Sequence, residues 1–223
     1  MSVNLANKTR NDQKNKEEAR IREMAPAAML AGIAYVLAFA EFPVPFSPSF
    51  ARMDLSDLPA LIGAFAYGPG AGIGIELVKN GLQLTTTSTA GVGELANFLM
   101  GGFYVFTAGM IWRIRPSKKT AVLSCIAASV AMGVMAAAAN YFILLPMFET
   151  FLPLDQLIQA FGEFMPFIRT KMDVVLYHAF PFNFLKGLVI GWAAMLIYRK
   201  LAPVLPVGQE RKAGKNHGIF GKE

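Results

Sequence analysis

Cysteine and charge are both scarce in this 223-residue sequence. Its single cysteine, Cys125, lies inside an apolar run, which excludes an internal disulfide and a metal cluster built on cysteines. Only 16% of the residues are charged, whereas 54% are hydrophobic. This is the composition of a membrane protein rather than of a soluble domain.

Motifs that would indicate an enzyme are also missing. The sequence has no HExxH zinc motif, no GxSxG nucleophile elbow and no Walker A lysine loop. The glycine-rich AFAYGPGAGIG joins two apolar stretches, and we interpret it as a tight turn rather than a phosphate-binding loop. We therefore expect no enzyme, no catalytic residues, no metal and no cofactor.

Two stretches without any charge indicate membrane spans. Residues 120–148 and 95–112 contain 29 and 18 uncharged positions, and helices of that length cross a hydrocarbon core of about 30 Å. The first 23 residues are polar and charged, so we expect no cleavable signal peptide.

The net charge of +6 would suit nucleic acid, but its distribution favours a lipid bilayer. Basic residues concentrate in the N-terminal tail, in residues 113–119 and in the C-terminal tail, where they would flank cytoplasmic ends of spans. All three share one side only if the chain has six spans. We predict an all-α membrane protein with six transmembrane helices and both termini cytoplasmic, in a bacterial plasma membrane. The predicted spans are 23–42, 57–68, 70–86, 94–113, 120–146 and 174–200.

The predicted membrane domain, 23–202, lies between two basic cytoplasmic tails, 1–22 and 203–223. Its longer exterior loops are 43–56 and 147–173. Loose helical spacing in LDQLIQAFGEFM predicts a short surface helix within the second loop, with a disordered lid as the alternative.

In this topology, polar side chains from several spans meet near the outer side. Asn97, Asn140, Asn183 and Lys186 would supply hydrogen-bonding groups to a pocket open to the exterior. Capping or helix bridging is the alternative for Asn97, and snorkelling to lipid head groups is the alternative for Lys186.

Other polar residues have structural interpretations. We expect Asp57 to cap the second helix, Glu76 and Lys79 to form a pair within one helix, and His178 to lie at the membrane interface. Aromatic residues at the outer level, with the amides and the lysine, would suit a flat heteroaromatic ligand with polar edges. These aromatic residues are Phe42, Phe46, Phe50, Tyr67, Phe98, Tyr141, Phe142, Phe180, Phe182 and Phe184.

Four motifs in this order carry a family resemblance: DLSDLPALIGAFAYGPGAGIGIELVKNGLQ, TSTAGVGELANFLMGG, NYFILLPMF and PFNFLKG. Together they resemble the riboflavin-specific substrate-binding subunit, or S component, of energy-coupling factor (ECF) transporters, over most of residues 24–202. The resemblance implies an exterior vitamin pocket, capped by the loop after the first helix, and no ATPase site. The sequence departs from the family pattern at residues 147–173, where the connection between the fifth and sixth helices is longer than in the family.

The resemblance also implies ligands and partners. Riboflavin would be the transported ligand, with flavin mononucleotide as a second candidate, and the partners would be a transmembrane scaffold subunit and two ATPases. Small residues on the first helix would dock the scaffold, although internal packing explains the same spacing. The implied substrate-binding residues are Asn97, Asn140, Asn183, Lys186, Tyr141 and Phe46, and the implied docking residues are Ala27, Ala31, Ala28 and Gly32.

Three other functions remain open from the sequence. One is an S component for a different vitamin, another is a stand-alone flavin or small-molecule facilitator, and the third is a membrane enzyme that uses Lys186, Glu94 and Asp57.

Overall fold

The computed structural model of the chain describes residues 24–43, 52–87, 89–150 and 153–201, the last four as main chain only. These residues form a helical bundle with one two-stranded ribbon, which agrees with the predicted all-α class. The helices are α1 Met24–Ala38, α2 Asp57–Tyr67, α3 Pro69–Gln83, α4 Val92–Ile114, α5 Lys118–Ala139, α6 Leu145–Phe148, α7 Leu154–Gly162, α8 Lys171–Val174 and α9 Phe180–Leu201. A 3₁₀ turn at Leu84–Thr86 extends α3.

Three helical segments in the described part of the chain are long and apolar enough to cross a membrane. They are Val92–Ile114, Lys118–Phe148 and Lys171–Ile197. The apolar helices α1 and α2 are shorter. The chain is thus a multi-pass membrane protein, while the six-span arrangement stays a prediction.

The first helix ends earlier than residue 42, because the chain turns there into a ribbon. Strand β1, Phe42–Pro43, pairs antiparallel with β2, Arg52–Met53. The pairing holds the two ends of the predicted lid loop together. Most of that loop, residues 44–51, lies outside the described residues.

The predicted turn between the second and third helices is confirmed at Gly68. Its φ of 102° is a conformation that glycine adopts without steric cost. Pro69 follows at the first position of α3, where its missing N–H is no loss.

Helices α5 and α9 approach closely through small residues. A Cβ built on Gly187 would lie 2.7 Å from Ser129 Oγ and 3.0 Å from its Cα, and one on Gly191 would lie 2.8 Å from Cys125 Cβ. The Tyr104 hydroxyl of α4 donates a hydrogen bond to the Gly187 carbonyl at 2.8 Å. These contacts fix α9, and with it Lys186, against the bundle.

Two π-helical turns interrupt the long helices, each just before a proline. Asn140–Leu144 joins α5 to α6, which contains Pro146, and Val175–Ala179 joins α8 to α9, which contains Pro181. A proline clashes with the carbonyl four residues earlier, and a wider turn relieves the clash.

One predicted boundary at the second loop needs correction. The last long helix begins at Lys171 rather than 174, because Thr170 and Asp173 form a capping box at its start. The predicted surface helix in 147–173 is confirmed as α7, which buries Leu157 and Phe161 and exposes its opposite face.

Candidate functional site

A cavity of about 440 Å³ opens at one end of the bundle. The starts of α4 and α9, the end of α5, helix α7 and the β ribbon all contribute to its walls. The lining residues are Glu41, Arg52, Asp54, Gln83, Thr89, Gly93, Glu94, Ala96, Asn97, Met100, Asn140, Leu144, Phe148, Phe161, Val174, His178, Ala179, Phe182, Asn183 and Lys186.

Four of the six predicted substrate-binding residues line this cavity together: Asn97, Asn140, Asn183 and Lys186. Tyr141 is not among the lining residues. Its ring lies 4.8 Å from the Lys171 ammonium and packs edge-on against a neighbouring phenylalanine. The sixth, Phe46, lies outside the described residues.

Two of the lining amides lie next to the π turns: Asn140 begins the first turn, and Asn183 lies in the first turn of α9, after the second. Asn140 Nδ2 donates to the Ala136 carbonyl at 2.8 Å, and Asn183 Nδ2 donates to the Ala179 carbonyl at 2.9 Å. An amide has two N–H donors and a carbonyl acceptor. Each side chain therefore keeps one donor and one acceptor for a ligand.

Lys186 is a buried member of the cavity wall, so the snorkelling alternative is wrong. Its side chain is only 4% exposed, and its ammonium lies 3.1 Å from Asp57 Oδ2 and 3.5 Å from Asp54 Oδ2. Asp54 in turn accepts the Ser56 backbone N–H at 2.7 Å, which ends the ribbon and starts α2. A charged donor is thereby placed at the floor of the cavity.

Asp57 does not cap α2 as predicted. It is the first residue of the helix, is fully buried, and binds Lys79 Nζ through Oδ1 at 2.6 Å. The predicted pair between Glu76 and Lys79 is confirmed at 2.7 Å. These residues form a charge cluster directly beneath the cavity.

Sequence reasoning missed part of the aromatic wall. His178 is buried rather than interfacial, with its ring parallel to Phe182 at a centroid distance of 5.5 Å and at 4.7 Å from the Phe161 ring of α7. The spacing of Leu154, Leu157 and Phe161 in the sequence could have indicated that α7 turns an apolar face inward.

The rim of the cavity carries more charge than the sequence suggested. Arg52 of β2 and Glu41, next to β1, form an ion pair at 3.2 Å across the ribbon. Glu94 at the start of α4 accepts hydrogen bonds from Thr87 and Thr89 at 2.9 and 3.3 Å. Of the three residues named for the enzyme alternative, Lys186 and Asp57 form an ion pair, whereas Glu94 accepts hydrogen bonds from the threonines.

The predicted docking residues of α1 differ in exposure. Ala31 is 2% exposed and belongs to the bundle core. Ala28 and Gly32 are exposed, and a Cβ on Gly32 would meet nothing within 4 Å. Ala27 is partly buried, and with Ala28 and Ala31 it lines a groove of about 400 Å³ between α1 and residues of α2 and α3. Internal packing thus accounts for Ala31 but not for Ala28 and Gly32.

Known proteins resemble this chain over most of its length. The riboflavin transporter RibU of Staphylococcus aureus (strain TCH60) is 36% identical over 185 residues, which is 82% of this chain and 92% of the relative. The riboflavin transporter FmnP of Bacillus subtilis (strain 168) is 33% identical over 197 residues, 87% and 98% of the two chains. A solved S component of a bacterial ECF transporter superposes with a TM-score of 0.69 at 33% identity, and covers 83% of this chain and 98% of its own.

The family described as "ECF transporter, substrate-specific component" matches residues 22–198. A transporter component is not an enzyme, and the family match thus agrees with the prediction made from the missing catalytic motifs. The chain belongs to the substrate-specific components of ECF transporters.

Proposed function

We propose that this chain captures riboflavin in the cavity for ATP-driven uptake by an ECF transporter. The observation that carries this proposal is the convergence of Asn97, Asn140, Asn183 and Lys186 on one cavity. The relatives named as riboflavin transporters, at 36% and 33% identity, support the same ligand.

The chemistry of the cavity suits riboflavin. Phe161, His178 and Phe182 offer flat surfaces to an isoalloxazine ring, and the amides and the ammonium match its polar edge and ribityl hydroxyls. A volume of about 440 Å³ falls within the roughly 300 to 1,000 Å³ typical of small-molecule pockets.

The proposal includes six membrane spans, formed by α1, α2, α3, α4, the segment α5 to α6 and the segment α8 to α9, with both termini cytoplasmic. The cavity then opens to the exterior, because the basic residues 113–119 lie at the other end of α4 and α5. A scaffold subunit and two ATPases supply the energy.

Flavin mononucleotide is the second candidate ligand. Arg169 and Lys171, two basic residues of the second long loop that could pair with a phosphate, are not in the cavity wall. The basic lining residues Arg52 and Lys186 are already paired with carboxylates. Because the lining also includes the carboxylates Glu41, Asp54 and Glu94, which repel a phosphate, we expect flavin mononucleotide to bind more weakly than riboflavin.

A titration of the purified protein in detergent, followed by quenching of riboflavin fluorescence, tests the ligand. We expect saturable one-to-one quenching, weakened in Lys186→Ala by about 1 to 3 kcal/mol, the cost of removing a charged hydrogen-bond partner. Lys171→Ala is the matched control and should bind like the wild type, since Lys171 lies outside the cavity. Absence of quenching with folded, flavin-free wild type would rule out riboflavin.

Uptake into vesicles distinguishes a stand-alone facilitator from a subunit of an ATP-driven transporter. We expect riboflavin uptake only when the scaffold, both ATPases and ATP are present. Uptake by vesicles that contain this chain alone would favour the facilitator.

A further inference from the structure

A chain of buried charges leads from the floor of the cavity into the bundle. Lys79 Nζ contacts Asp57 Oδ1 at 2.6 Å, Glu76 Oε2 at 2.7 Å and Ser56 Oγ at 3.0 Å. The contacts with Asp57 and Ser56 are hydrogen bonds, and the contact with Glu76 is an ion pair. Lys79, with no exposed side-chain area, is thus a counter-ion inside the bundle and not a ligand group.

Asp57 is the link between this interior lysine and the lysine of the cavity. Its Oδ1 binds Lys79 of α3, and its Oδ2 faces the Lys186 ammonium of α9 at 3.1 Å. The second contact is an ion pair without the alignment of a hydrogen bond. Lys186 is consequently held by charge but keeps freedom to direct its donors elsewhere.

The surroundings fix Asp57 in place. A Cβ built on Gly101 of α4 would lie 3.1 Å from Asp57 Oδ1 and 2.8 Å from Glu76 Oε2, so the helix backbone packs directly on both carboxylates. Asn80 Nδ2 donates to Glu76 Oε2 at 3.1 Å and secures the second carboxylate. The cluster therefore has little room to shift when the cavity is filled.

We propose that Asp57 is a positioning residue for ligand binding: it holds the Lys186 ammonium at the cavity floor with a donor directed at the ligand. This proposal rests on the proposed function. Without Asp57, the remaining carboxylate next to Lys186 is Asp54, 3.5 Å away at the cavity wall beside the ribbon. The ammonium would then follow Asp54 toward the ribbon and lose its alignment with the ligand.

The test is a double-substitution cycle on riboflavin affinity in the full chain. Asp57→Asn removes the charge and keeps the shape, and we expect binding at least tenfold weaker than wild type. Lys186→Met should also weaken binding. The combined Asp57→Asn/Lys186→Met variant should bind within threefold of Lys186→Met alone, because Asp57 acts through Lys186.

A control and a replacement variant distinguish a positioning role of Asp57 from an effect on general stability. Glu76→Gln changes the same buried cluster without touching Lys186, and should keep affinity within threefold of wild type even if its ligand-free unfolding temperature falls. If Asp57→Asn does not fold, Asp57→Asn/Lys79→Met keeps the net charge of the cluster and replaces it in the comparison. We expect the same tenfold loss.

Wild-type affinity in the Asp57 variant, or losses that multiply in the combined variant, would overturn the positioning role. An equal loss in Glu76→Gln would overturn it as well. A wild type that shows no saturable quenching would instead remove the proposed function, and the positioning role with it.

Discussion

Asn140 and Asn183 each combine a hydrogen bond to their own helix with a position in the cavity wall. Each amide donates one hydrogen bond to the backbone carbonyl four residues earlier. This bond fixes the orientation of the side chain. Both residues line the cavity, and each amide has a carbonyl oxygen and a second N–H besides this bond. An amide held in this way loses less conformational entropy when a ligand binds.

We expect Asn140→Ala and Asn183→Ala each to weaken riboflavin binding by about 1 to 3 kcal/mol, since each removes a buried hydrogen-bond partner of the ligand. Gln159→Ala, which removes an exposed amide of α7, is the control and should leave affinity unchanged. The measurement is the fluorescence titration. Unaltered affinity in both asparagine variants would place the ligand elsewhere.

At the scale of the element, α7 makes the long second loop part of the cavity wall. Its Phe161 is 5% exposed and contacts the His178 ring, while its other face points outward. The loop that departs from the family resemblance is therefore a wall of the cavity in this chain, rather than a disordered lid.

We expect Phe161→Leu to weaken riboflavin binding by about 0.5 to 1.5 kcal/mol, the contribution of an aromatic pair beyond its buried area. Phe164→Leu is the matched control, because Phe164 is 47% exposed and is not a lining residue of the cavity. Titration of both variants, together with their ligand-free thermal unfolding, distinguishes a lost ring contact from a loosened helix. Equal affinities in the two variants would exclude α7 from the ligand site.

At the scale of the whole molecule, capture and energy supply must occupy different surfaces. The cavity lies at one end of the bundle, whereas Ala28 and Gly32 lie on the exposed side of α1 near its start. Small exposed residues permit close approach of a partner helix. A subunit with no energising motif of its own needs such a contact to be coupled to ATP hydrolysis.

We expect Ala28→Trp to preserve riboflavin binding but to reduce co-purification with the scaffold subunit at least several-fold, since a large side chain blocks close helix approach. Ala138→Trp is the control, because Ala138 is exposed on α5, away from the proposed docking face, and should keep the complex intact. Ala31 is unsuitable for this test, since a large residue there would disrupt the core. Normal assembly of the Ala28 variant would move the docking surface elsewhere.

The sequence by itself determined the membrane class, the turn at Gly68, the surface helix and four polar residues of the cavity. Each of these follows from local chemistry: charge-free runs, glycine and proline turn residues, helical spacing, and the cost of polar groups near lipid. Only the tertiary structure decided the roles of Asp57, His178, Ala31 and Tyr141. These depend on which side chains from distant helices meet, and the π turns before Pro146 and Pro181 change the direction of side chains in a way that a regular helical period does not indicate.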